Sequence, residues 1–291
     1  MNDFNDEDMS SMVHEMEKEA EAGKFQSKFW SPKNEGNTQI RIISPLKEFN
    51  EKLFYLKYRQ HYVGGHPYMC LNQTLVDKNG NVHEAEACPI CKRVKQLYDL
   101  SNNDRESEEA HLASGMSAKD RFVSRIIVRG KKDKDGKDTE AVPEFYEFGK
   151  KIHEILFNAI KLGECGNFLS LKTGRDLNLS KKGTGRNTDY SGTSLSMKQS
   201  PVFTDAAKIK QLAEELPKMD YKQLVEFKTY DELENLLKEA QHDADDFNND
   251  AVATEKTTVG APVSSQLKKA VEAPAPAADV SDELDDLLSK I

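Results

Sequence analysis

Residues 61–70 read HYVGGHPYMC, and residues 88–91 read CPIC. Gly64 and Gly65 separate two short β-forming runs, which predicts a strand, a tight turn and a second strand. Two cysteines separated by two residues can both bind one tetrahedral metal ion. The sequence therefore predicts a β-hairpin and a cysteine pair that meet around a metal ion.

Three of the four cysteines, Cys70, Cys88 and Cys91, lie within 22 residues, and Cys165 stands apart. Because the acidic N-terminus does not resemble an export signal, this pattern favours a metal site over disulfides. We predict one structural zinc ion (Zn2+) held by these three thiolates and a histidine, with Cys165 as a free thiol. The alternative is that residues 88–91 carry two reduced cysteines at the start of a helix.

Three histidines are candidates for the fourth ligand: His61, His66 and His83. We favour His61 because its strand would pair with the strand of Cys70, whereas His66 lies in the turn and His83 is a weaker option. The choice between His61 and His66 stays open at this point. Zinc deaminases place a glutamate two residues after their histidine ligand. None of the three histidines is followed in this way, so the ion is expected to be structural.

The pattern around this cluster is mostly β, with helices towards the end of the central region. Strands are predicted at 38–43, 53–58, 61–63, 68–70, 122–128, 145–148 and 168–171, with a second tight turn at Asn79-Gly80. Helices are predicted at 90–100, 150–162, 205–216, 220–227 and 230–240. These elements predict a mixed, mainly β fold: a small OB-fold-type barrel with an inserted zinc-binding subdomain and C-terminal helices.

Basic and aromatic residues are interleaved in two central stretches. Lys119–Lys137 contains eight basic and three acidic residues, with Phe122 between Arg121 and Arg125. Lys172–Arg186 contains five basic residues and one acidic residue. Such interleaving is typical of proteins that bind single-stranded DNA through its phosphates and base faces, with little sequence preference and strong salt dependence. Candidate contacts in and near the second stretch are Lys172, Arg175, Lys181, Lys182, Arg186 and Tyr190; Tyr146, Lys150 and Lys151 lie between the stretches.

The net charge of −9 is unevenly distributed along the chain. Residues 1–24 carry −6 and residues 242–291 carry −7, which leaves +4 on residues 25–241. We predict an acidic helical arm over 1–24, a zinc-containing DNA-binding core over 25–241 and a disordered acidic tail over 242–291 that binds protein partners.

The arm contains an apolar stripe. Met9, Met12, Val13 and Met16 fall on one face of a helix predicted over 9–22. Such a short helix needs a docking partner, and self-association along DNA is one hypothesis. No apolar run approaches the roughly 20 residues of a membrane span, so a cytoplasmic location is expected.

Taken together, these features resemble the single-stranded DNA-binding (helix-destabilising) proteins of T-even-like bacteriophages. The resemblance rests on Ile40-Arg41-Ile42, the His–Cys–CPIC cluster, the segment FGKKI over 148–152, the segment FKTYDEL over 227–233 and the segment LDDLL over 284–288. It implies an OB-fold core with one His-Cys-Cys-Cys zinc and a cleft for a few nucleotides. It also implies an acidic tail that recruits replication, recombination and repair proteins and competes with DNA, in the cytoplasm of an infected bacterial host.

The resemblance further implies individual site residues. Carried over by position, the cleft residues are Arg41, Tyr98, Phe122, Tyr146, Lys150 and Tyr190, with Arg121, Arg125 and Lys151 beside them. The chain departs from the family in two places. Its hairpin between the ligand histidine and Cys70 is shorter, and its arm is acidic where the family has Lys/Arg followed by Ser/Thr.

Two other functional classes compete with this interpretation. An enzyme acting on nucleic acid would need a carboxylate cluster with metal-binding spacing or a phosphate-cradling loop, and the sequence has neither. A zinc-ribbon adaptor that binds only proteins would show no preference for single-stranded over double-stranded DNA. We therefore predict a non-catalytic protein that coats single-stranded DNA.

Overall fold

A computed structural model describes residues 28–163 and 165–250, apart from the side chains of residue 186 and residues 241–250. The arm predicted over 1–24, with its helix over 9–22, lies outside the described residues. So does the predicted acidic tail from residue 251 onwards.

Nine β-strands and five α-helices form within the described residues. The strands are β1 (Gly36–Ile42), β2 (Leu56–Val63), β3 (His66–Met69), β4 (Leu75–Val76), β5 (Val82–His83), β6 (Lys119–Val128), β7 (Glu144–Phe148), β8 (Arg175–Lys181) and β9 (Ser194–Gln199). The helices are α1 (Pro89–Leu100), α2 (Glu108–Met116), α3 (Lys150–Leu162), α4 (Ala206–Glu215) and α5 (Tyr230–Asp250). Seven strands form one antiparallel sheet in the order β3-β2-β6-β1-β8-β9, with β7 paired to β6, and β4 and β5 form a separate hairpin. The predicted mixed, mainly β class is confirmed; the more specific OB-type barrel stays a prediction.

The long strand β6 organises the sheet. Its first half pairs with β2, where Val123 lies opposite Leu56, and its end pairs with β1, where Ile127 lies opposite Arg41. Its middle also pairs with β7. Seven consecutive β6 residues, 122–128, are buried, as expected for a strand that is covered on both faces. The main core cluster includes Ile40, Ile42, Phe122, Ile126, Leu177 and Leu179.

Residues 64–118, which we call the metal lobe, are inserted between β2 and β6. The lobe begins with the predicted hairpin turn, in which Gly64 (φ 57°) and Gly65 (φ 82°) both adopt positive φ. That conformation favours glycine at both positions of a two-residue hairpin turn. The lobe continues through β3, the β4–β5 hairpin, α1 and α2. Its buried apolar side chains Leu71, Ile90, Leu97 and Ala113 pack against Leu233 and Leu237 of α5.

Several predicted element boundaries differ from those observed. Parts of the strands predicted at 53–58 and 61–63 belong to one continuous strand, β2 (Leu56–Val63), and residues 53–55 precede it. The strand predicted at 168–171 is a turn, and the side chain of Phe168 is buried in the core. The nearby strand is β8, whose alternate residues Leu177 and Leu179 are buried. The helix predicted at 220–227 is a single 3-10 turn, Tyr221–Leu224.

The last helix is longer than predicted. Helix α5 runs to Asp250 rather than ending at residue 240. The sequence offers no glycine or proline between residues 218 and 259 to stop it. The first residues of the predicted disordered tail, 242–250, are therefore helical. None of the described helices combines the length and apolarity that crossing a membrane requires.

Two arginines predicted to line the DNA cleft are buried within the fold instead. Arg41 is 0% exposed; its Nε donates to Asp176 at 2.8 Å and its Nη2 donates to the Ser200 hydroxyl at 2.8 Å. Arg125 is 1% exposed and donates two hydrogen bonds, of 2.6 and 2.8 Å, to the carboxylate of Glu51. The placement of both residues in a cleft is therefore wrong, because each guanidinium is already bound inside the protein.

The Arg125–Glu51 pair generates a stability prediction. Replacing Glu51 by Gln leaves a buried guanidinium without its counter-charge, which should lower the free energy of unfolding by about 3 kcal/mol. Urea unfolding followed by circular dichroism measures the change. The matched control is Glu215→Gln, which removes a carboxylate that pairs with Lys218 at the surface and should change stability by less than about 1 kcal/mol. Equal effects of the two substitutions would contradict the assigned role of Glu51.

Candidate metal centre and nucleic-acid cleft

One histidine and three cysteines converge between the sheet and the metal lobe. His61 lies on β2, Cys70 directly follows β3, and Cys88 and Cys91 lie at the N-cap and in the first turn of α1. Their ligand atoms all lie within 4.8 Å of one another. The hairpin and the cysteine pair therefore meet as the sequence predicts.

Three distances within this cluster are close to those of a four-coordinate metal site. The Nε2 atom of His61 lies 3.5 Å from Sγ of Cys88 and 3.4 Å from Sγ of Cys91, and Sγ of Cys70 lies 3.6 Å from Sγ of Cys91. A tetrahedral ion with bonds of about 2.3 Å to sulfur and 2.0 Å to nitrogen separates its ligand atoms by about 3.5–3.8 Å. The four residues could therefore hold one metal ion.

The imidazole of His61 is oriented for binding through Nε2. It is 0% exposed, and its Nδ1 lies 2.7 Å from the carbonyl oxygen of Met116. A carbonyl only accepts hydrogen bonds, so Nδ1 carries the proton and Nε2 presents its lone pair to the sulfurs. This second contact is the usual way in which a protein fixes a metal-binding histidine.

The pKa values of Cys88 and Cys91 favour a bound cation. Hydrogen bonds from Cys70 and Cys91 lower the pKa of Cys88 far below that of a free thiol. The pKa of Cys91 is raised, because its thiol is held as a hydrogen-bond donor to Cys70 and Cys88 and a second negative charge would be repelled. Cys91 can therefore ionise beside Cys88 only if a positive ion lies between their sulfurs.

The other histidines of this region have different environments. His66 is exposed on β3, opposite Val63. The ring of His83 stacks on Phe227 with centroids 3.8 Å apart. Geometry thus brings His61, not His66 or His83, to the cysteines. Cys165 is a partly buried free thiol outside the cluster.

A cleft of about 1430 Å³ lies between the metal lobe and the sheet. The metal lobe contributes the hairpin turn and the end of α2. The opposite side consists of β7, the start of α3 and the residues Gly185, Thr188 and Tyr190, and residues of α5 also line the cleft. Five basic side chains line it: Arg93, Lys119, Arg121, Lys150 and Lys151. Within the described part of the chain, Glu147 is the only carboxylate among the lining residues, so the cleft is positively charged.

An aromatic ring lies among these basic groups. The ring centroid of Tyr62 is 5.6 Å from the guanidinium carbon of Arg121 and 5.9 Å from Nζ of Lys119. The Tyr62 hydroxyl accepts a hydrogen bond of 2.8 Å from Arg121. Cations at such distances are attracted to the face of a ring, so Arg121 and Lys119 hold Tyr62 at the cleft.

Some of the predicted contact residues line the cleft and others do not. Those that line it are Arg121, Tyr146, Lys150, Lys151 and Tyr190. Tyr146 is only 3% exposed and packs edge-on against Trp30. The side chain of Arg186 lies outside the described residues, although its neighbour Gly185 lines the cleft.

Three of the remaining predicted residues have structural contacts. Phe122 is 3% exposed and stacks on His153 with centroids 4.0 Å apart, so its assignment as a cleft residue is wrong. Arg175 donates from Nε to the carbonyl of Cys165 at 2.9 Å. Lys181 donates to the carbonyl of Pro32 at 2.7 Å.

The other three, Tyr98, Lys172 and Lys182, are exposed but do not line this cleft. Tyr98 lies five residues after Arg93 on α1, which turns it well away from the side that carries Arg93. DNA contacts by these three residues stay a prediction.

Tyr62 and Arg93 line the cleft but were not predicted, and Lys119 was predicted only as part of the basic stretch Lys119–Lys137. The signal for Tyr62 was present, because alternate residues of a strand point to opposite faces. If His61 points to the metal centre, its neighbour must point away from it. Arg93 follows Cys91 by two residues and is likewise positioned by the metal lobe.

Comparison with known proteins agrees with this geometry. A family model described as "gp32 DNA binding protein like" matches residues 34–242, more than two thirds of the chain. The matched range contains the four clustered His and Cys residues and all of the residues that line the cleft. A comparison with curated proteins gives no match.

The metal centre generates a prediction with an internal control. Cys88→Ser or Cys91→Ser should abolish binding of one metal equivalent and lower Tm by about 10 °C or more, because metal binding and folding are coupled. Elemental analysis and thermal unfolding of the full chain measure the two effects. Cys165→Ser changes the same atom outside the cluster and should alter neither. A full chain that carries no metal, and whose Tm is unchanged by a chelator, would contradict the assignment.

Proposed function

We propose that this chain, which belongs to the family of gp32-like DNA-binding proteins, binds single-stranded DNA along its cleft and coats it with little sequence preference. The observation that supports this most directly is the composition of the cleft. Five basic side chains and the half-buried rings of Tyr62 and Tyr190 line one continuous surface. Basic side chains bind phosphates, and aromatic rings stack on unstacked bases.

The positions of these groups favour a single strand over a duplex. Lys150 and Lys151 lie exposed at the start of α3, and Lys119 is exposed on β6. The Tyr62 ring lies beside Lys119 and Arg121. A single strand can direct its phosphates to the exposed lysines and its base faces to the rings, whereas the paired bases of a duplex are unavailable for stacking.

We further propose that the ion is zinc and that its role is structural. Three thiolates and one imidazole form a donor set typical of structural zinc, and four protein ligands leave no open position for catalysis. The ion would also fix one wall of the cleft. Tyr62 follows the ligand His61, Arg93 follows Cys91 by two residues, and Met116 both accepts from His61 and lines the cleft.

The acidic tail completes the proposal. Residues 242–291 carry a net charge of −7, opposite in sign to the cleft, so the tail is proposed to compete with DNA and to recruit proteins of replication, recombination and repair. The division into arm, core and tail, and action in the cytoplasm of an infected bacterial host, belong to the same proposal. Support for these points comes from the charge distribution and from the resemblance of the sequence.

Fluorescence anisotropy of a labelled oligonucleotide tests DNA binding directly. The full chain should bind the single strand much more tightly than the duplex, with an affinity that falls steeply as salt rises, because phosphate neutralisation releases counterions. Equal weak binding to both forms, or none, would overturn the proposal and leave a protein-interaction module.

The same assay locates the binding site. Tyr62→Ala should weaken single-strand binding by about tenfold, since stacking of one base on an aromatic ring contributes roughly 1–3 kcal/mol. Phe157→Ala is the matched control, because it removes an exposed aromatic ring of α3 that does not line the cleft. A larger loss from Phe157→Ala than from Tyr62→Ala would place the DNA elsewhere.

Removal of the tail tests its role. Deleting residues 242–291 should strengthen single-strand binding, and the gain should be largest at low salt, where electrostatic interactions are least screened. Titrations of the full and shortened chains at two salt concentrations measure this difference. Identical affinities at low salt would argue against competition between the tail and DNA.

A further inference from the structure

We infer that Glu147 makes the cleft discriminate among bases, favouring those that carry an exocyclic amino group over thymine. This inference rests on the proposed function, and it adds a base preference to a surface that otherwise recognises phosphates and ring faces. Among the described residues that line the cleft, Glu147 is the one carboxylate. The nearby Asp189 instead pairs with Lys151 at 2.9 Å.

The carboxylate of Glu147 is held in a fixed position. Its Oε2 accepts a hydrogen bond of 2.6 Å from the Tyr58 hydroxyl, and its Oε1 lies 3.5 Å from Nε of Arg121. Tyr58 is 2% exposed. Burial, together with the neighbouring Glu147 charge, raises the pKa of Tyr58 well above its ordinary value, so the hydroxyl remains a donor. The side chain of Glu147 is 18% exposed, so its carboxylate remains partly accessible.

The same guanidinium links the carboxylate to the stacking ring. Arg121 approaches Glu147 with Nε and donates to the Tyr62 hydroxyl with Nη2. The Glu147 carboxylate and the Tyr62 ring therefore contact the same guanidinium, and both lie on the same face of the β2–β6–β7 sheet. A base that stacks at Tyr62 has its polar edge within reach of Glu147.

Charge decides which part of the DNA can meet this carboxylate. A phosphate beside Glu147 would be repelled, while Lys150 is exposed and attracts it. The strand should therefore place its backbone along the exposed lysines and turn its bases towards the floor of the cleft. Glu147 then faces base edges, not phosphates.

The chemistry of an ionised carboxylate makes this contact selective. It only accepts hydrogen bonds. Cytosine and adenine each offer an amino group, at N4 and N6, whereas thymine presents carbonyl oxygens on either side of its single N–H. Thymine therefore brings two acceptors towards an acceptor, and cytosine brings a donor.

The test compares oligo(dC) with oligo(dT) of equal length, because the two pyrimidines have similar rings and differ mainly in the group at position 4. The wild-type full chain should bind oligo(dC) at least about threefold more tightly than oligo(dT), the size expected for part of one charge-assisted hydrogen bond. In Glu147→Gln the amide can both donate and accept, so oligo(dT) should gain affinity and the ratio should fall towards one. The Glu147→Gln substitution also keeps an acceptor for Tyr58, and thermal unfolding checks that the fold is retained.

The matched control is Glu154→Gln. Glu154 pairs with Lys150 at 3.6 Å on α3, so its substitution removes the same charge near the cleft but away from the floor. It should change binding of both oligonucleotides by the same factor and leave their ratio unchanged. A wild-type ratio of one, or a ratio that Glu147→Gln does not move, would overturn the inference while leaving single-strand binding intact. Absence of binding to either oligonucleotide would instead refute the proposed function.

Discussion

The convergence of one imidazole and three thiols in the interior is the constraint on which the rest of the molecule depends. His61 and Cys70 are fully buried, Cys88 nearly so, and all four ligand atoms lie within 4.8 Å. Buried polar groups need partners, and thiolates at this spacing need a positive one. The metal lobe is held by the pairing of β3 with β2 and by an apolar cluster that it shares with α5. The four ligands add a direct link between its hairpin and its first helix.

One strand connects this constraint to the cleft. Because side chains alternate across a strand, β2 directs His61 into the metal centre and Tyr62 onto the surface that Lys119 and Arg121 share. The carbonyl that orients His61 belongs to Met116, which itself lines the cleft. The position of the stacking ring is thus set by the same backbone that positions the ligand. Disorder in the metal lobe would therefore reach the cleft without altering any cleft residue.

Local patterns predicted the parts of the fold that depend on neighbours in sequence. The Gly64-Gly65 hairpin, the cysteine pair at the start of α1 and the strand β6 are confirmed. The fates of the basic residues could not be predicted, because each depends on a partner far away in the chain. Arg125 meets Glu51 and Arg41 meets Asp176, 74 and 135 residues away in sequence. The sequence alone does not distinguish the buried Arg41 and Arg125 from Lys150, which is exposed.

The division between buried and exposed positive charge also explains how a cleft can tolerate Glu147. Arg41 and Arg125 neutralise interior carboxylates and contribute little field at the surface, whereas the lysines around the cleft are solvated and can attract phosphates. Glu147 lies between these two regimes, since Tyr58 and Arg121 hold it from one side while the cleft opens on the other. An acceptor fixed in this way contributes nothing to the attraction of a polyanion. Water can satisfy its remaining lone pairs in the free protein; when a nucleic acid fills the cleft, the donors that can replace this water are on the bases.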